Sequence, residues 1–202
     1  MVTSADLRAA SRFALAALRP YSSLDWSLPA GDLEWSCRQT LHHVSGSLMF
    51  YAGQVATRAT VRLRSLRGAD PEATVPELLD AVETATAILC HLIEGMGETD
   101  RAFHPAGMAD ASGFAAMGAD EILVHTHDIT GGLGRDFRYQ TSVTDRIVKR
   151  LFPWAPADVD GWSTLLWCNG RSEIPGHPRQ DSDWWWWCEP LEEWDGRIKR
   201  RA

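Results

Sequence analysis

Apolar residues recur at helical intervals in four long stretches of this chain, each bracketed by residues that start or stop helices. The first begins at Thr3 or Ser4, sets Leu7, Ala10, Ala14 and Leu18 on one face, and closes at Pro20. A turn-rich stretch, PYSSLDWSLPAGDLEW, follows. The second helix opens near Ser36 and is read through the proline-free segment CRQTLHHVSGSLMFYAGQVATRATVRL, with Leu41, Val44, Leu48, Tyr51 or Ala52, and Val55 repeating. The third starts with Thr74 and Glu77 in capping-box spacing and Pro76 in its first turn, and runs to Gly95 and Gly97. The fourth starts around Asp110 and stops at the Gly131-Gly132 pair. Its internal Gly113 and Gly118 each cost about 1 kcal/mol relative to alanine, or mark close packing.

Four such helices predict an all-α protein, a four-helix bundle with its apolar stripes facing inward, over residues 1–155. TSVTDRIVKRLF reads as a short amphipathic helix ended by Pro153, and GWSTLLWCNGR as another ended by Gly170. Residues 156–202 form a Trp-rich annex expected to pack on the bundle. Seven of the ten tryptophans lie beyond position 160, and the run Trp184–Trp187 has the alternation of a short strand, two indoles to each face. The terminal KRRA is read as a solvated basic tail.

Composition narrows the class. At 202 residues the chain has room for one ordinary domain and a small appendage, and 45% hydrophobic with 23% charged residues is that of a packed globular protein. A net charge of −7 and a pI near 5.5 provide no positive field for nucleic acid. The N-terminus carries Asp6, Arg8 and Arg12 where a signal peptide would be apolar, and no stretch reaches the roughly 18 to 20 apolar residues of a membrane span. A cytoplasmic protein without membrane attachment is expected. Cys37, Cys90, Cys168 and Cys188 form no CxxC pair and read as reduced, buried thiols. Spacing alone permits a Cys168–Cys188 bridge, which a reducing cytoplasm opposes.

The fourth helix carries the chemistry. At about 100° per residue, Glu121, His125 and Phe114 fall within about 40° of one another on the apolar face, while Asp120 and His127 fall on the opposite side. An ionised carboxylate facing the core costs several kcal/mol unless something compensates it, and a cation is the obvious candidate. A carboxylate and an imidazole at i, i+4 supply two ligands to a divalent ion. On the second helix His42 and His43 are adjacent and cannot both face inward. His43, at the edge of the arc holding Val44, Ser47, Phe50 and Tyr51, is the better inward residue. Two His and one Glu leave open positions, as in a catalytic site, and suit zinc, iron, nickel or manganese. Asp128, a turn beyond His125, is placed to accept its second ring N–H. Arg135 and Arg171, both after glycine turns, are candidate contacts for a substrate anion. His91, His104 and His177 have no partner at ligand spacing.

The segment WSCRQTLHHVSG, with Trp35 eight residues before His43, resembles the Trp-to-His signature of the DinB-like superfamily, specifically the N-terminal domains of mycothiol-dependent maleylpyruvate isomerases. DEILVHTHDITGGLGRDF resembles that family's ExxxHxxD helix and its following Gly and Arg turn. GWSTLLWCNGRSEIPGHPR is similar to a C-terminal stretch of many actinobacterial members. The resemblance implies His43, Glu121 and His125 as metal ligands, commonly for zinc, and mycothiol or another low-molecular-weight thiol as cosubstrate in isomerisation or S-transfer to a small electrophile. The short Trp-rich annex stands where the isomerase has a larger second domain, so that enzyme's own substrate does not carry over. Hydrolysis by bound hydroxide, and non-catalytic binding of a metal or small ligand, are the alternatives the same residues allow; a monomer or homodimer is expected in each case.

Overall fold

The capping signals become helix ends. In the computed structural model, which describes residues 1–64, 70 and 72–201, α1 spans Ser4–Leu18, α2 Cys37–Ala56 and α3 Val75–Glu94. Each of these opens with a capping box: Thr3 with Asp6, Ser36 with Gln39, and Thr74 with Glu77. A two-stranded antiparallel ribbon, β1 (Ala102–His104) and β2 (Gly107–Ala109), joins α3 to α4 (Ala111–Gly132), which Asp110 caps. Two short helices follow, α5 (Ser142–Leu151) and α6 (Gly161–Cys168), the second capped by Asn169 and followed by Gly170 at a φ of +69°. The described residues thus form an all-α protein apart from one small ribbon. Among them, no helix is long and apolar enough to cross a membrane.

The second helix is shorter than its proline-free sequence predicts. Arg58 adopts a φ of +50°, and its guanidinium bonds the Val55 carbonyl, the Gly95 carbonyl at 2.9 Å and Asp100 at 2.8 Å. These bonds hold the turn that ends α2, and the chain then runs beside β1, where Phe103 N–H donates to Ala59 at 2.7 Å. Gln54 fastens the same edge through Phe103 O at 3.0 Å and Leu63 N at 3.0 Å. No glycine or proline announced this exit.

Helices α1 and α2 each pack against both α3 and α4, while α5 packs on α4 and α6. Helix α4 therefore has neighbours on every side, and most of its 22 residues are buried. Its glycines admit these neighbours. A Cβ at Gly118 would stand 3.2 Å from Leu7 and 3.3 Å from Leu48, and one at Gly113 would collide with the Cys188 carbonyl. A single buried cluster runs from Leu7 and Leu48 through Phe114 to Trp162, Trp167 and Cys188, so the helical core and the C-terminal segment share one interior.

The tryptophan run is not a strand. Only Trp184 makes a bridge, to Arg200, while Trp185 N–H bonds Lys199 and Trp187 N–H bonds Leu151. Trp184, Trp185 and Trp186 all line one cavity instead of alternating between two faces. The basic tail is exposed at Arg200 and Arg201 yet engaged: Lys199 pairs with Glu189, Arg200 with Asp183, and Arg201 lies over the rings of Trp184 and Trp185. Ala202, the last residue of that tail, lies outside the described residues. All four cysteines are buried and free, so Cys168 and Cys188 form no bridge.

Candidate metal centre

Three donor atoms converge where α2 meets α4. His43 Nε2 lies 3.3 Å from Glu121 Oε2, His125 Nε2 lies 3.4 Å from the same oxygen, and all three atoms fall within 4.8 Å of one another. The two imidazoles meet edge to face with centroids 5.2 Å apart. Helical spacing aligns Glu121 with His125, and the packing of α2 on α4 brings in His43. Trp35 rests its ring 4.9 Å from that of His43, which it helps to hold, and Ser47 Oγ lies 3.3 Å from the same Nε2.

Two of the three donor separations suit a cation between the groups. An imidazolium and a carboxylate in direct contact would close to about 2.7–2.9 Å. A tetrahedral ion with bonds of about 2.0–2.1 Å instead spaces its donor atoms about 3.3–3.4 Å apart, which matches two of the three edges. Glu121 is the compensated inward acid that its position on the helix predicts: only 9% of its side-chain surface is exposed. Tyr51 donates to its Oε1 at 2.9 Å, leaving Oε2 to face the imidazoles.

An outer layer orients these groups. His125 Nδ1 lies 3.0 Å from Asp128 Oδ2, as the i, i+3 spacing predicts, and Arg171 grips Asp128 through both carboxylate oxygens at 3.1 and 2.8 Å. Burial opposes ionisation of Asp128, but His125 and Arg171 outweigh it and hold the acid below its ordinary range. A carboxylate there makes His125 Nδ1 the donor and turns the Nε2 lone pair toward the centre. Without an ion, burial would lower the His125 pKa, yet Asp128 and Glu121 raise it to about 9. Burial likewise raises Glu121, and the His125 and His43 imidazoles overcome it, leaving the acid well below its ordinary value.

The three ligand candidates line a cavity of about 570 Å³ together with Trp184, Trp185 and Trp186. Asp120, placed by the helical wheel on the far side from Glu121, also lines this cavity and is 1% exposed. Asn169 donates to one of its oxygens at 2.8 Å and Trp186 Nε1 to the other at 3.1 Å. Burial raises its pKa to about 7 despite those two donors. The wheel misplaces Asp120 because it assumes one solvent face, whereas α6 and the tryptophan segment cover that face of α4. His104, without a ligand-spaced partner in the sequence, is a buried part of the wall, its ring 5.3 Å from Tyr51 and 5.6 Å from Trp186. Its Nδ1 accepts from Ala106 N–H at 3.1 Å.

Of the two arginines singled out as anion contacts, Arg171 lines the cavity but is engaged by Asp128, and Arg135 stacks on Tyr21 outside the lining. His127 meets Trp162 edge to face. Arg62 and Arg201, which no motif marked, do line the cavity. Comparison of the chain with protein-family models, with curated proteins and with solved structures gives no match.

Proposed function

We propose that this chain is a DinB-like four-helix bundle that holds a divalent ion, best matched by zinc, on His43, Glu121 and His125. Its reaction is a thiol-dependent transfer or isomerisation of a small electrophile. The observation that carries this reading is the convergence of the two Nε2 atoms and Glu121 Oε2 at the wall of a 570 Å³ cavity. A bound divalent ion would lower the pKa of a coordinated thiol or water, making a thiolate or hydroxide available near neutral pH. Asp128 and Tyr51 hold the ligands in orientation, and the three tryptophans give the cavity apolar surface.

None of the chain's own thiols serves as the nucleophile in this reading. No cysteine lines the cavity, and burial pushes the thiols of Cys37 and Cys90 up to about 11 and those of Cys168 and Cys188 further still. A small thiol such as mycothiol fills that role, in agreement with the resemblance of the two metal-site motifs. Free cysteines fit a reducing cytoplasm. All three ligands come from one chain, so a monomer or a homodimer serves equally.

Elemental analysis of the purified protein beside His43→Ala and Glu121→Ala variants tests the metal. Near-stoichiometric metal in the wild type and its loss in both variants is expected; equal sub-stoichiometric content in all three refutes the site. Turnover of 1-chloro-2,4-dinitrobenzene with mycothiol, glutathione or bacillithiol then tests the chemistry, and a rate that needs both thiol and metal is expected. Metal-dependent hydrolysis of p-nitrophenyl acetate without thiol would transfer the site to water chemistry. Full metal with no turnover would make it a binding protein.

A further inference from the structure

The cavity carries hydrogen-bond donors that have no acceptor among the described residues. Three arginines line it. Arg171 is committed to Asp128 and to the Asn169 carbonyl. Arg62 and Arg201 are different: both are exposed, and among the described residues neither pairs with a carboxylate. What each touches is an aromatic face. Arg62 lies 5.5 Å from the centroid of Phe50, and Arg201 lies 4.6 Å over Trp185 and 5.6 Å from Trp184. Trp185 also has a buried indole N–H with no acceptor.

An arginine stacked on a ring has its plane fixed while the N–H groups along its edge stay available, the arrangement that suits bidentate binding of a carboxylate. Arg201 owes its position to backbone pairing, since its N–H bonds Asp183 O at 2.7 Å and the preceding Arg200 bridges Trp184. The lining acids do not neutralise these cations. Asp120 is occupied by Asn169 and Trp186, Glu121 by Tyr51 and the imidazoles, and Glu34 contacts neither arginine through an ion pair. The indoles meanwhile present flat apolar surface, with Trp184 and Trp186 edge to face at 5.7 Å.

We infer that Arg62 and Arg201 bind the anionic group of the substrate, and that this substrate is a small carboxylate with a planar apolar body lying against Trp184 and Trp185. The inference rests on the proposed function only in taking this cavity as the substrate chamber. Arg171, conspicuous in the sequence, is by contrast a positioning residue acting through Asp128.

Benzoate and benzamide share a shape and differ in charge, so their binding to the zinc-loaded protein, followed by tryptophan fluorescence and calorimetry, is the test. Benzoate is expected to bind at least about tenfold more tightly. Arg62→Gln and Arg201→Gln should each weaken benzoate by about fivefold or more and leave benzamide unchanged, while Arg12→Gln on α1 should change neither. Equal binding of the two probes, or wild-type benzoate affinity in the Arg62→Gln/Arg201→Gln double variant, overturns the inference. A His43→Ala/Glu121→Ala protein separates the two proposals. Arginine-dependent preference for benzoate that survives there supports the anion site whether or not the metal exists. A preference lost there but indifferent to both arginines assigns the anion to the metal and overturns this site alone.

Discussion

Tyr51 on α2 donates its hydroxyl hydrogen to Oε1 of Glu121 on α4 at 2.9 Å, and this bond selects Oε2 as the oxygen that meets both imidazoles. The phenol is buried and holds the carboxylate from the side away from the histidines. Tyr51→Phe should therefore keep the fold and weaken metal binding by roughly 10- to 100-fold. Competition with a chromophoric chelator measures this; unchanged affinity would show that the carboxylate is oriented by packing alone.

Asp128 joins His125 to Arg171, so one side chain serves both ligand orientation and charge balance. Asp128→Ala removes the acceptor of the ring N–H and strands a largely buried guanidinium. Metal affinity should fall by at least about tenfold. Stability should fall by about 3 kcal/mol, because breaking a buried pair leaves an uncompensated charge. Urea unfolding beside metal titration separates the two effects, and loss of stability without loss of metal would deny the orienting role.

Among the described residues Arg150 is the most deeply buried arginine or lysine, with 2% of its side chain exposed. It donates to Asp110 Oδ1 at 2.6 Å, to Cys188 O at 2.9 Å and to Trp187 O at 3.1 Å, tying α5, the start of α4 and the tryptophan segment together. Arg150→Met should cost about 3–5 kcal/mol in chemical denaturation. A loss below about 1 kcal/mol would mean that water replaces these bonds at little expense.

Away from the candidate metal centre, Asp6 is a partly buried source of acid sensitivity. Burial opposes ionisation of Asp6, but Arg146 and Thr3 bond the carboxylate and hold it below its ordinary value of 3.8. A depressed acid contributes stability that is complete above the unfolded-state value and is lost as pH falls through the folded one. Arg146 is 36% exposed, so solvent screening limits the contribution to about 1 kcal/mol or less. Asp6→Asn should be less stable than wild type at pH 6, with the gap closing below about pH 4. A gap that persists at pH 2.5 would trace it to the lost cap geometry.

Helix ends and the three candidate ligands were legible because their signals are local. Ser36, Thr74 and Asp110 cap where the sequence placed them, and the i, i+4 spacing of Glu121 and His125 needs only helical geometry. What escaped depends on contacts between distant segments. Asp120 reads as outward until Asn169 and Trp186, 49 and 66 positions away, bury it. The exit of α2 at Arg58 depends on Asp100 and Gly95, and Arg201 reads as a frayed end unless the pairing of Asp183 with the tail is known. Periodicity reports which face is apolar, and a helix enclosed on all sides has no polar face to report.

Because Asn169, Arg171 and Trp186 all reach back to carboxylates of α4, shortening this protein after position 155 would not yield a smaller working unit. Asp120 would lose both donors, and Asp128 would lose its guanidinium and keep only His125. The C-terminal quarter is better regarded as the other half of the chamber, and any excised fragment would inherit its floor without its roof.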